Sequence, residues 1–332
     1  MKKLIIFLLI SAGLVFFWFF YLVKQPGDFS KNIEWGVVFS RPFSIDMGLN
    51  WKKNYLAILD ELKPKILRLP VYWKDVQVTE DEYDFKDYDW MVKEAENRGV
   101  KLLLAVGRKA PRWPECDEPK WTRNLDSNAI NQKILDYIEK TVNQYKNSSS
   151  TYIWQVENEP FLNFGECPKL DVGFLDQEIS LVKSLDPGHP IMITDSGELG
   201  IWIQAAKRSD VFGTSIYRVV YNKYIGNYTY PLPPKFFWIK ANIVRLLYPD
   251  KPIIVSELQA EPWGPKLIYE TPLEDQFKSM DFQQFNDDIE YAKQVGFKEN
   301  YLWGAEWWYW LKTEQNHPEF WDAARKLIQN NE

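Results

Sequence analysis

Residues 152–160 read Tyr152-Ile153-Trp154-Gln155-Val156-Glu157-Asn158-Glu159-Pro160. A short apolar run ends here in three polar residues, and the proline that follows cannot extend a ladder of strand hydrogen bonds. The same figure recurs at Pro252-Ile253-Ile254-Val255-Ser256-Glu257-Leu258-Gln259, which sets Glu257 98 positions after Glu159. At roughly 33 residues per strand-plus-helix unit, that spacing holds three units.

Working outward, eight runs of this kind alternate with segments of helical period, the pattern of a parallel sheet built from βα units. The runs are Ile33 to Phe39, Ile66 to Val71, Leu102 to Val106, Tyr152 to Val156, Ile191 to Thr194, Val211 to Ile216, Ile253 to Val255 and Tyr301 to Trp303. Helices are expected around Tyr55 to Leu62, Tyr88 to Arg98, Ile130 to Tyr145, Phe174 to Ser184, Ile201 to Lys207, Phe236 to Leu247, Phe285 to Val295 and Phe320 to Ile328. Gly99 and Gly296 directly follow two of them, as helix stops do. Eight units predict an α/β protein with a closed (β/α)8, or TIM, barrel. A doubly wound open sheet is the rival, but no Gly-x-Gly-x-x-Gly turn follows the first strand. In a barrel the chemistry sits where the strands end and the βα loops begin, and there Asn158, Glu159 and Glu257 emerge.

Composition narrows the functions. With 40 Lys+Arg against 46 Asp+Glu and a net charge of −6, the chain lacks the excess of positive charge that tracks phosphates, so no nucleic-acid partner is expected. Two histidines and two cysteines, scattered along 332 residues, give no ligand set for a closed metal site, and no metal or cofactor is implied. Aromatic residues make up 16% of the chain, more than a core of this size needs, so some should line a surface.

After Lys2 and Lys3, Leu4 to Val23 is free of charge for 20 residues, enough at about 1.5 Å per residue to cross a ~30 Å hydrocarbon layer. The run closes on Trp18, Phe19, Phe20 and Tyr21 rather than on small residues, which favours an uncleaved membrane anchor over a signal peptide. Residues 1–31 are therefore expected to be a transmembrane helix and tether, and 32–332 a monomeric catalytic domain held outside the cytoplasm. In that compartment Cys116 and Cys167 can join in a disulfide or remain two buried thiols.

Two carboxyl groups over one mouth are what glycosidic cleavage requires: an acid for the departing oxygen and a carboxylate for the anomeric carbon. At these residues the chain resembles the clan A retaining glycoside hydrolases, the group that includes families 5, 39 and 42. The resemblance implies that Glu159 is the acid/base, Glu257 the nucleophile and the substrate a carbohydrate. It also implies that Arg68, in Leu67-Arg68-Leu69-Pro70, lies near the nucleophile, that Tyr217 hydrogen-bonds it, and that Asn158 binds a sugar hydroxyl. Where many family 5 enzymes carry a histidine after strand three, this chain has Gly107-Arg108-Lys109.

Trp73, Trp113, Trp121, Trp263, Trp303, Trp307, Trp308 and Trp310 lie on or just after strands, and Trp303 and Trp307 are the expected sugar platform. Glu157, Glu198, Glu261 and Glu306 are competing carboxylates, and strand alternation would turn Glu157 to the same side as Glu159. The alternative to an enzyme is a non-catalytic carbohydrate-binding barrel at the cell envelope, or a scaffold with no carbohydrate affinity.

Overall fold

Each apolar run is a strand in the computed structural model, which describes residues 32–169 and 171–330. The strands are β1 (Glu34–Val38), β2 (Ile66–Pro70), β3 (Lys101–Val106), β4 (Thr151–Val156), β5 (Ile191–Asp195), β6 (Val211–Ile216), β7 (Ile253–Gln259) and β8 (Glu299–Trp303). They close in chain order into one barrel, β1 pairing in parallel with both β2 and β8. Helices fall where the period places them: α1 (Trp51–Ala57), α2 (Lys86–Asn97), α3 (Ser127–Tyr145), α4 (Val172–Leu185), α5 (Ile203–Arg208), α6 (Pro234–Leu247), α7 (Phe282–Val295) and α8 (Glu319–Gln329). Asp126, Asp171 and Asp281 cap α3, α4 and α7 by accepting backbone N–H bonds in the first turn.

The strands are buried on both faces because the core has two shells. Inside the barrel, Val38, Ile66, Leu103, Ile153, Met192, Val211, Ile254 and Tyr301 fill the lumen. The alternate residues pack outward against the helices, Leu102, Leu104, Trp154 and Val255 among them. This plugs the barrel and leaves its C-terminal rim as the place where polar side chains can meet.

Two further elements shape the rim. The insertion after β6 folds as an antiparallel hairpin, Val219–Asn222 with Gly226–Thr229. The tryptophan-rich stretch after β8 is an additional helix, Ala305–Glu314, which turns Trp307, Trp308 and Leu311 inward at helical spacing.

Among the described residues no helix is long and apolar enough to cross a membrane, and the anchor expected over Leu4–Val23 lies outside them.

Candidate active site

The end of β7 aims the first carboxylate. Between Thr214–Val255 and Ser215–Glu257 the register of β6 and β7 shifts by one residue, a bulge at Ser256 that re-aims Glu257. Arg68, fully buried on β2, donates from Nη1 to Glu257 Oε1 at 2.7 Å and to the Ser256 carbonyl at 3.2 Å. Its Nε donates to Gln155 Oε1 at 2.8 Å and its Nη2 to Asn158 Oδ1 at 2.9 Å, so one guanidinium fixes groups from β4 and β7. Tyr217, just past β6, donates its hydroxyl to Glu257 Oε2 at 3.0 Å. A carboxylate that receives a buried guanidinium and a phenol is fixed in position and orientation.

The end of β4 treats Glu159 differently. Its backbone turns into the left-handed region (φ 42), a strained conformation held by a bond from its N–H to Thr194 Oγ1 at 2.8 Å. The carboxyl accepts from Ser215 Oγ at 2.8 Å. Burial drives its pKa well above the ordinary carboxylate range, and the charges of Glu257 and Glu115 push in the same direction. The two glutamates thus stand in unlike surroundings, Glu257 paired with a cation and Glu159 buried beside negative charge.

Glu157 does not share that space. Its backbone is also left-handed (φ 59), so strand alternation ends at Val156 and its carboxyl turns to the loop after β3, accepting from the N–H groups of Arg108 (2.6 Å) and Lys109 (2.7 Å). Gly107 permits this approach, since a Cβ there would meet Glu157 Oε1 at 2.5 Å. Glu198 accepts from the Tyr217 N–H at 2.8 Å, and Glu261 and Glu306 both hold Arg112.

A third carboxyl of the mouth, Glu115, is not legible in the sequence. It lies in the loop after β3, its Oε2 3.1 Å from Lys109 Nζ, and the same ammonium donates to the carbonyls of Glu159 (3.1 Å) and Leu162 (2.9 Å). Burial pushes Glu115 up to about 7; Lys109 and a hydrogen bond from the Asn158 side chain oppose the rise, and the Glu257 charge adds to it. Lys109, of the Gly107-Arg108-Lys109 stretch after β3, thus links Glu115 to the backbone of Glu159. Cys116, next in the chain, is joined to Cys167 by a disulfide, tying the loops after β3 and β4 together.

The aromatic platform also differs from the expectation. Trp307 is 0% exposed, packs against Phe320 with centroids 4.9 Å apart, and donates its Nε1–H to Gln276 Oε1 at 2.6 Å. It is core, because the helix that carries it faces inward. Trp303 does reach the mouth, but it is 5% exposed, its Nε1–H goes to Glu261 (2.8 Å), and Arg112 covers its ring at 4.4 Å. The rings nearer solvent form a row from Trp113, 53% exposed, to Phe164 (5.9 Å) to Trp263 (5.7 Å) to Tyr217 (5.2 Å). Its members come from the loops after β3, β4, β6 and β7, so no sequence spacing marks them.

Fold and site together are those of a two-carboxylate glycoside hydrolase barrel. The family model described as Cellulase (glycosyl hydrolase family 5) matches residues 40–231, more than half of the chain, and the chain belongs to that family. Among curated relatives, a probable mannan endo-1,4-beta-mannosidase F of Aspergillus flavus is 27% identical over 139 residues, 38% of this chain and 28% of the relative. Mannan endo-1,4-beta-mannosidase A of Hypocrea jecorina is 23% identical over 201 residues, 52% of this chain and 43% of the relative. The chain thus spans less than half the length of these relatives. Similar folds include xylanase 10B of Thermotoga maritima (TM-score 0.59, 16% identity, 90% of this chain and 97% of that one). Another is a Bifidobacterium longum GH5_18 protein in complex with Manb1-4GlcNAc (TM-score 0.59, 13% identity, 82% and 68%).

Proposed function

We propose that this chain hydrolyses β-linked glycosides with retention of anomeric configuration. The observation that carries the reading is the unequal treatment of two glutamates at one barrel mouth: Glu257 is paired with Arg68 and bonded by Tyr217, while burial and neighbouring negative charge raise the pKa of Glu159. In the first step a Glu257 oxygen attacks the anomeric carbon as Glu159 gives its proton to the leaving oxygen, forming a glycosyl ester. In the second, Glu159, now ionised, takes a proton from water, which attacks the same carbon and frees Glu257. Asn158, its Oδ1 fixed by Arg68 and its side chain bonded to Glu115, is the neighbour of Glu159 that would meet a sugar hydroxyl.

The names of the curated relatives make β-1,4-mannosides the first substrates to try. The uncharged run Leu4–Val23 supports a membrane anchor, and the Cys116–Cys167 disulfide supports a domain outside the reducing cytoplasm.

The test is turnover of a panel of aryl β-glycosides and β-1,4-linked oligosaccharides. Wild type should hydrolyse one class, Glu257→Ala none, and Glu159→Ala should retain slow turnover of activated aryl glycosides that azide accelerates. Carbohydrate affinity with no turnover by wild type would instead support a binding barrel.

A further inference from the structure

Arg112, in the loop after β3, crosses the mouth to the far side of the barrel. Its guanidinium pairs with Glu261 beyond β7 (2.6 and 2.9 Å) and with Glu306 beyond β8 (3.2 Å). It lies over two rings, Trp303 of β8 at 4.4 Å and Phe43 beyond β1 at 3.5 Å. Glu306 in turn accepts the N–H of Ser40 beyond β1, and Tyr72 beyond β2 bonds the Pro111 carbonyl at 2.9 Å. The rim above β7, β8, β1 and β2 is thus spanned by one charge-paired strap.

This strap is built to stay closed. Its backbone is cross-tied by Ala110 N–H to Glu115 O (2.8 Å) and Glu115 N–H to Arg112 O (2.7 Å), and the disulfide anchors its far end. Arg112 itself is left-handed (φ 88), a conformation that persists in a non-glycine residue when surrounding contacts over-determine it. Withdrawing the arginine would leave two buried carboxylates without their cation.

The strap bears on how a sugar chain can lie. In the mechanism above, the leaving oxygen faces Glu159, whose carboxyl is bonded toward β6 by Ser215. The sugar being cleaved extends from its anomeric carbon in the opposite direction, because the 4-position of a pyranose stands across the ring from carbon 1. A further sugar on the non-reducing side would therefore run into the sector that Arg112 fills, whereas the leaving portion starts on the β6 side, toward which Glu159 is bonded.

We propose that the site is a pocket for a chain end, releasing a short unit from the non-reducing terminus, with Arg112 as the residue that closes the glycone side. The inference rests on the hydrolase reading and deepens it: the named relatives are endo-acting mannosidases, and this strap would convert a through-groove into a blind one.

The test uses the full chain and two sets of β-1,4-mannooligosaccharides tagged at the reducing end, one with a free non-reducing terminus and one capped there by a 4-O-methyl group. Free chains should be shortened stepwise from that end, at least about tenfold faster than capped ones, and an aryl β-mannoside carrying a single sugar should be turned over. Arg112→Ala should raise cleavage of capped relative to free chains. Equal cleavage of both sets by wild type, or products cut in mid-chain, would overturn the proposal while leaving the hydrolase reading intact. Inertness toward both sets and toward every glycoside of the wider panel would overturn the hydrolase reading and the proposal with it.

Discussion

Replacing Glu115 by glutamine gives a measurement of how this mouth handles negative charge. Burial pushes the Glu115 carboxyl from the ordinary 4.5 up to about 7. Between those values the folded protein holds a proton that the unfolded chain has released, so stability falls as pH rises through that window and the loss is complete above it. At about 1.36 kcal/mol per pH unit the loss comes to about 3 kcal/mol. Glutamine resembles the protonated carboxyl in shape and charge and escapes the loss. The stability of Glu115→Gln minus that of wild type should therefore grow by about 3 kcal/mol between about pH 4 and about pH 8. Urea unfolding followed by tryptophan fluorescence at several pH values would measure it, and taking the difference at each pH cancels the constant effect of the substitution on Lys109. The same variant removes a negative neighbour that helps keep the proton on Glu159, so the alkaline limb of kcat/KM should move to lower pH. A stability difference that stays flat with pH would refute the placement of Glu115 as a buried, titrating member of the site.

Arg68→Met should destabilise the fold by about 3–5 kcal/mol, since it strands the buried Glu257 carboxylate, and denaturant midpoints at neutral pH would show it. Arg68→Lys should not restore activity, because a single ammonium cannot reach Gln155, Asn158 and Glu257 together. Trp307→Ala should cost about 3–5 kcal/mol of stability as a core deletion, whereas Trp263→Ala should raise KM with a smaller change in melting; reversed behaviour would return Trp307 to the sugar platform. Changing Cys116 and Cys167 together to serine should cost about 4 kcal/mol for a closed loop of 51 residues, read from thermal or urea unfolding of the double variant.

The barrel was legible because its signals are local. A run such as Ile66 to Val71 is apolar enough to be a strand wherever it lies, and eight of them with helical segments between leave few ways to close a sheet. Glu159 and Glu257 could be found for the same reason: a barrel puts chemistry at strand ends, and both stand there. The helix Ala305–Glu314 was misjudged because a tryptophan-rich stretch after a strand reads alike as a sugar platform and as one buried helix face.

What the sequence by itself determined is the order of strands and helices and the chemical type of the two central carboxyls, since hydrophobic period and strand ends are properties of neighbouring residues. Only the tertiary structure decided that Glu257 is paired with Arg68 while Glu159 is buried beside negative charge, that Glu115 and Lys109 join them, and that Arg112 walls off one side. Those outcomes depend on burial and on charges brought together from loops tens to hundreds of residues apart, and no local pattern records where such loops meet.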